Sequence, residues 1–189
     1  MTEPYVPDRG ILPEGETDPN LIYIAVGQAI HDWEVLEMAL ARLYLIMSGI
    51  DETPANFATY GFENGRFVNR IAAIERAAAV YFVRHPNQEV EGAFCELIQT
   101  TKALSIDRHR IAHGNISQVG KANPMPGPTK DGTFMMQVSF LFRWGAPLYS
   151  TRSLRTNFVG GGSKAINAVR DKIKAKHNEI HAFTQALPR

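Results

Sequence analysis

The chain has 189 residues, 44% of them hydrophobic, and a formal net charge of +1. This length and composition predict a single globular domain with a sizeable core and exclude fibrous and intrinsically disordered classes. The one cysteine, Cys95, excludes an internal disulfide, so we expect a cytoplasmic protein in which Cys95 is a small core residue.

The charge is distributed unevenly along the chain. Residues 1–100 carry 6 Lys and Arg against 15 Asp and Glu, whereas residues 101–189 carry 14 against 4. A basic second half suggests a polyanionic partner such as nucleic acid. Packing of an acidic half on a basic half within the fold explains the same numbers, and the sequence leaves both interpretations open.

The N-terminal segment, residues 1–18, is acidic and contains proline, which predicts a flexible arm rather than a signal peptide. The most apolar stretch, residues 35–47, contains Glu37 and Arg42 and is too short to span a bilayer. We therefore expect a soluble protein that has no membrane partner.

The first long helix is predicted to begin after Asp18, because aspartate is a good N-cap and Pro19 suits the first helical position. Ser48 and Gly49 end it. Heptad spacing of its apolar residues is typical of a helix that packs in a bundle. These residues are Ile22, Val26, Ala29, Trp33, Leu36, Leu40, Leu43 and Met47.

Two further long helices are predicted after a short helical turn that begins at Thr53-Pro54 and is interrupted at residues 61–65. Pro86 separates the two helices. When the heptad period of the helix after Pro86 is continued, the next two apolar core positions fall on Arg108 and Ile111. Arg108 thus occupies a position where an apolar residue is expected. The apolar positions are Phe67, Ile71, Ile74, Ala78 and Tyr81 in one helix, and Val90, Phe94, Leu97, Thr101 and Leu104 in the other.

The segment 116–159 has a different character. Its proline-rich part, residues 120–132, predicts a loop, and residues 134–142 are strand-like, with residues 147–159 as a candidate partner strand. A last helix is then predicted with Ser163 as its N-cap. Its apolar face is formed by Ile166, Val169, Ile173, Ile180, Phe183 and Leu187. The sequence thus predicts a mainly α fold, an antiparallel four-helix bundle with a β-hairpin insertion before the last helix.

The most informative motif lies where the third long helix is expected to end. Arg108 and His113 are five positions apart there, and Gly114 is expected to cap the helix. Arginine is a permanent cation that binds phosphate through two parallel hydrogen bonds, and histidine exchanges a proton near neutral pH. Held together at a groove, these two side chains are sufficient to cleave RNA without a metal.

The motif Arg108-x4-His113 resembles that of the HEPN family, four-helix bundles named for higher eukaryotes and prokaryotes nucleotide-binding. Many members carry Arg-x4–6-His near the end of the third helix, usually with a polar residue, often Asn, after the Arg; here that residue is His109. The resemblance includes the layout of residues 19–187, with Trp33-Glu34-x-x-Glu37 in the first helix, although its specific part spans only about eight residues. It implies a single HEPN-like domain over residues 19–189.

The resemblance also implies a function. The protein is expected to be a metal-independent endoribonuclease, or an RNA-binding relative, of a toxin–antitoxin or phage-defence system. Arg108 would stabilise the charge of the transition state, and His113 would act as general base or acid. His109 or Arg110 would hold the flanking phosphate, and His109 is also a candidate second proton-transfer residue. Members commonly pair two motifs across a homodimer cleft, which implies a homodimer and an antitoxin or other protein partner.

Three further arginines are candidates for RNA binding. Arg143, Arg152 and Arg155 lie on the predicted hairpin, where they would add phosphate contacts.

The motif residues also have a purely structural interpretation. Arg108 would then pair with Glu34 or Glu37 of the first helix, and His113 would interact with the C-terminus of its own helix. On this interpretation the chain is a non-catalytic dimeric interaction module. A nucleotide or small-ligand site in the same groove is a third alternative.

No metal or cofactor site is predicted. His109 and His113, like His177 and His181, have the spacing of a pair of metal ligands on a helix. However, the glutamate in residues 177–181 is one position late for the zinc-protease motif, and the glycine-rich residues 160–164 lack the order of a P-loop.

Overall fold

The computed structural model describes residues 16–119, 133–137 and 162–188 of the chain. This described part is mainly helical, as the sequence predicts. Its helices are α1 (Pro19–Ser48), α2 (Pro54–Asn64), α3 (Phe67–Arg84), α4 (Gln88–Ala112) and α5 (Ser163–Ala186), and its strands are β1 (Asn115–Val119) and β2 (Thr133–Gln137). None of the described helices is both long and apolar enough to cross a membrane.

The chain divides into two compact units. The first contains the described residues of segments 1–30 and 106–170, and the second those of segments 31–105 and 171–189. Helices α1, α4 and α5 each contribute residues to both units. The candidate site residues 108–113 therefore belong to the first unit.

The first unit buries apolar side chains from the beginning of α1, the end of α4 and the beginning of α5. Asp18 begins α1 as predicted, because its Oδ1 accepts a hydrogen bond from the backbone N–H of Asn20 at 2.9 Å. The buried residues are Ile22, Ala25, Ala29, Ile111, Ile166 and Val169. They confirm the predicted apolar faces in this unit, except that Val26 is only half-buried.

Helix α5 begins differently from the prediction. Ser163 is its first residue rather than its N-cap, and the Glu16 carboxylate accepts hydrogen bonds from the Ser163 backbone N–H at 3.0 Å and from its hydroxyl. A carboxylate is stabilised at a helix N-terminus, where N–H groups lack intrahelical partners. Gly162 leaves room for this contact, since a Cβ there would lie 2.6 Å from Glu16 Cγ. The predicted flexible arm thus reaches a defined contact at Glu16, and residues 1–15 lie outside the described part.

The second unit has an apolar core drawn from all of its long helices. Phe94 of α4 lies between Phe82 of α3 and Phe183 of α5, with ring centroids 5.8 and 6.3 Å away. The predicted heptad positions that are buried in this unit are Trp33, Leu36, Leu40, Leu43, Met47, Ile71, Ile74, Ala78, Tyr81, Phe94, Leu97, Thr101, Leu104, Ile173, Ile180 and Leu187. Burial at these positions confirms the predicted apolar faces, except that Phe67, Val90 and Phe183 are only half-buried.

Helix α4 has a well-defined N-cap in Asn87. Its Oδ1 accepts hydrogen bonds from the backbone N–H groups of Glu89 and Val90 at 3.1 and 3.2 Å. We expect Asn87→Ala to lower the free energy of unfolding by about 1 kcal/mol, because those groups lose their acceptor. Asn87→Asp, which keeps the acceptor, should change it little. Urea unfolding of both variants tests this, and equal stabilities for the two would contradict it.

The two described strands form an antiparallel pair. β2 pairs with β1, so that Asn115 lies opposite Gln137 and Val119 opposite Thr133. β1 precedes β2 in the chain and was not predicted, whereas the predicted hairpin stays a prediction. The predicted partner, residues 147–159, lies outside the described residues, as do residues 138–142.

Two local predictions were wrong. Cys95 is exposed rather than part of the core, because it is one residue past the buried Phe94 and therefore about 100° away around α4. The turn at Thr53-Pro54 is the beginning of an 11-residue helix. This helix continues through Gly61, and Gly65, which has a φ of +52°, follows its end.

Candidate functional site

Arg108 lies on the apolar line of α4, as predicted. Ile111, the next position on that line, is buried, whereas Arg108 is half-buried. Arginine suits such a position because its methylene groups pack against apolar surface while the guanidinium stays near water. Because Ile111 is buried, the rotation of the end of α4 is fixed, and with it the direction in which its charged residues point.

His109 and His113 are both exposed and contact each other. Their ring centroids are 4.4 Å apart, and the ring planes are tilted by 50°. The backbone holds this arrangement, because the N–H of His113 donates to the carbonyl of His109 at 3.1 Å and so continues the helical turn beyond Ala112. The N–H of Gly114 turns back to the carbonyl of Ile111 at 3.5 Å.

The helical period explains which motif residues come together. Residues four apart on a helix differ by about 40° in direction, whereas residues five apart differ by about 140°. His113 therefore lies beside His109 rather than beside Arg108. The structure brings together the two histidines, one of which was predicted only as a secondary residue.

The pKa of His109 lies below its ordinary value of 6.5. Partial burial is the largest cause, and repulsion from His113 and from the Arg108 guanidinium adds to it. The charge of Arg108 thus contributes to lowering the pKa of His109. The neutral imidazole is favoured at His109 near neutral pH, and a neutral imidazole can accept a proton from an alcohol.

Arg110 forms an ion pair one turn back along α4. Its Nη1 lies 3.1 Å from Oδ1 of Asp107, and both side chains are about one-third exposed. Arg110 thus remains near the surface, with its charge partly balanced. Asp107 was not among the predicted site residues, although its i,i+3 spacing to Arg110 indicates this pair.

Arg143, Arg152 and Arg155 lie outside the described residues. The His177 and His181 rings are 6.2 Å apart on α5. Among residues 16–119, 133–137 and 162–188, no group of three or more His, Cys, Asp or Glu side chains is arranged to hold a metal ion.

The second unit contains a polar cluster that the sequence analysis missed. Glu37, predicted as an alternative partner of Arg108, accepts a hydrogen bond from Trp33 Nε1 at 2.6 Å and forms an ion pair with Arg70 of α3. Burial raises the pKa of the nearby Tyr60 well above its usual range; Arg70 opposes this effect and Glu37 adds to it. Arg70 precedes the buried Ile71, and this position beside an apolar line was the available signal.

The second unit also has an open cleft of about 330 Å³. It lies where α1 and α3 end, and its lining includes Arg84 and His85 as well as Asp51 and Glu52. The lining thus carries both signs of charge. Among the described candidate site residues, none of Arg108, His109, Arg110 and His113 is part of this lining.

Comparisons of the chain with protein families, with curated proteins and with solved structures find no match.

Proposed function

We propose that the chain is a metal-independent endoribonuclease of HEPN type whose site lies at the end of α4. One observation carries this proposal. Two exposed imidazoles, those of His109 and His113, contact each other at the end of α4, where His109 directly follows the half-buried Arg108. The arrangement offers proton transfer by imidazole and charge stabilisation by guanidinium, the two contributions that RNA cleavage without a metal requires.

The chemistry follows from the substrate. RNA supplies its own nucleophile, the 2′-hydroxyl, so no metal-bound water is needed. Arg108 stabilises the additional negative charge on the phosphorane-like transition state, and His113 transfers a proton. The products are an RNA end with a 2′,3′-cyclic phosphate and one with a 5′-hydroxyl.

The same proposal extends to the finer architecture. Helices α1, α3, α4 and α5 would form an antiparallel four-helix bundle, and residues 116–159 would be an insertion that carries a β-hairpin. The antiparallel β1–β2 pair before α5 supports an insertion at this place. Arg143, Arg152 and Arg155 would contact phosphate from it, and the excess of basic residues after residue 100 supports a polyanionic partner.

A homodimer, an antitoxin-like protein partner and a cytoplasmic location belong to the same proposal. Pairing two copies of the motif across a cleft would place two cationic clusters on one RNA strand. In the non-catalytic alternative, the chain is a dimeric interaction module. Val80 and Val83 favour this alternative, because both are exposed and lie three residues apart on one face of α3, where a second copy would cover them.

Cleavage of labelled RNA in the presence of EDTA tests the nuclease. We expect wild-type cleavage that leaves cyclic phosphate ends, and a loss of about 10²–10⁴-fold in rate for Arg108→Ala and for His113→Ala. Arg76→Ala is the matched control, because Arg76 is an exposed arginine on α3 and belongs to the second unit. It should cleave at the wild-type rate.

The outcomes separate the two candidate functions. Arg108→Lys serves as a second variant, since it keeps the charge and loses only the two-pronged contact with phosphate. Unfolding curves like that of the wild type show that a variant is folded. Absence of cleavage by folded wild-type protein across several RNAs would overturn the nuclease proposal and leave the interaction module.

A further inference from the structure

We infer that His109 is a second catalytic residue, the base that takes the proton from the 2′-hydroxyl, and that His113 is the acid that gives a proton to the departing 5′-oxygen. This inference rests on the proposed function, because it concerns the same RNA-cleaving site. It goes further in assigning the two proton transfers to two different side chains of one chain.

The geometry of the two imidazoles suits the two proton transfers of RNA cleavage. The nucleophile and the leaving group occupy opposite sides of the phosphorus in an in-line displacement, so that one proton must be taken and another given at two separate oxygen atoms. The His109 and His113 rings, with centroids 4.4 Å apart and planes tilted by 50°, can reach two neighbouring oxygen atoms. Arg108 and His113, five positions apart, cannot form such an acid–base pair, because a guanidinium does not give up its proton.

Burial and the neighbouring charges indicate which histidine is the base. Two protonated imidazoles at this separation repel each other, and the Arg108 guanidinium adds to the repulsion at His109. Because burial of the ring and repulsion from His113 and Arg108 lower the pKa of His109, the neutral form that can accept a proton is favoured at His109. His113 is then the imidazole of the pair that is left to act as the acid.

The step balances as follows. His109 removes the proton of the 2′-hydroxyl while the 2′-oxygen forms its bond to phosphorus. The bond from phosphorus to the 5′-oxygen breaks, and His113 donates its proton to that oxygen. The cyclic phosphate and the 5′-hydroxyl leave, His109 is protonated and His113 is neutral, and exchange with water restores both.

The sharpest variant is His109→Asn. Asparagine stands at this place in many relatives that the motif resembles, so it keeps a polar side chain there but cannot accept a proton at neutral pH. If His109 is the catalytic base, the cleavage rate of this variant should be about 10²–10⁴-fold lower than that of the wild type. The matched control is His177→Asn, because His177 also lies one helical turn from another histidine, His181, on α5. Its rate should equal that of the wild type.

A second substrate separates the two roles. RNA in which sulfur replaces the bridging 5′-oxygen releases a thiolate, and thiols have a pKa of about 8.5, so that no acid is needed for departure. His113→Ala should be slow on the oxygen substrate and largely restored on the sulfur substrate. His109→Asn should be slow on both, because the 2′-hydroxyl still has to lose its proton.

Each contrary outcome identifies what fails. If wild-type protein cleaves RNA and His109→Asn cleaves equally fast, the inference is overturned and the proposed function stands. Restoration of His109→Asn by the sulfur substrate would also overturn it, since His109 would then act only by positioning His113. If the wild type cleaves neither substrate, the proposed function and the inference fail together.

A measurement without RNA supports the same assignment. In the imidazole NMR spectrum, the midpoint of the His109 titration is expected below 6.5, and His113→Ala should move it upward because one source of repulsion is removed. A midpoint that does not respond to His113→Ala would contradict the coupling on which the division of roles depends.

Discussion

Replacing Trp33 with alanine is expected to lower the free energy of unfolding by about 3–5 kcal/mol. The indole is only 1% exposed and packs against the Phe67 ring, with centroids 5.2 Å apart. Its Nε1 donates to Glu37 at 2.6 Å. Alanine removes the largest side chain of the second unit's core and leaves a cavity next to a carboxylate that has lost one donor.

Urea unfolding measures this loss of stability. Two further variants show how much of it comes from the lost hydrogen bond and how much from burial. Trp33→Phe keeps much of the packing and removes only the donor, so its loss should be smaller, about 1–3 kcal/mol. Met38→Ala is the control on the same helix, because Met38 is 67% exposed, and its effect should stay within about 0.5 kcal/mol. If Trp33→Ala lowered the free energy of unfolding no more than Met38→Ala does, this result would contradict the burial of Trp33 in the core.

The apolar faces of the helices could be predicted because a local pattern determines them. A heptad spacing directly specifies which side of a helix is apolar, and burial of Leu36, Ile74 and Leu104 follows from it. The N-cap at Asp18 is equally local, since the side chain bonds to a backbone group two residues away.

Features that join distant parts of the chain could not be predicted in this way. Glu16 and Ser163 are 147 positions apart, and no local pattern relates them. The pairing of β1 with β2 depends in the same way on which strand lies nearby, and a strand of five residues does not by itself specify its partner. Apolar periodicity also gives no information on polar pairs such as that of Arg70 with Glu37.

The candidate site contains, within a few residues, features that could be predicted from the sequence and features that could not. The motif itself and the position of Arg108 on the apolar line were predicted from spacing. The same spacing also determines that His113 lies near His109, but the spacing of the two histidines indicated only a possible pair of metal ligands and not an acid–base pair. The lowered pKa of His109 depends on partial burial and neighbouring charges, which require the structure.

Replacing Arg70 with methionine is expected to destabilise the second unit by about 3–5 kcal/mol. Arg70 forms an ion pair with Glu37, and the two side chains are only 21% and 14% exposed. Methionine fills a similar volume without charge, so the variant leaves the Glu37 carboxylate largely buried and without its guanidinium. The cost is that of an uncompensated charge rather than of a cavity.

The double variant Glu37→Gln/Arg70→Met tests this reason. The glutamine oxygen still accepts the hydrogen bond from Trp33 Nε1, and no charge remains to be compensated, so stability should largely return towards that of the wild type. Arg42→Met is the control, because the ion pair of Arg42 with Glu52, at 2.8 Å, is about one-third exposed and should contribute less than about 1 kcal/mol. If the double variant were no more stable than Arg70→Met alone, packing of the Arg70 side chain, and not its charge, would account for the loss.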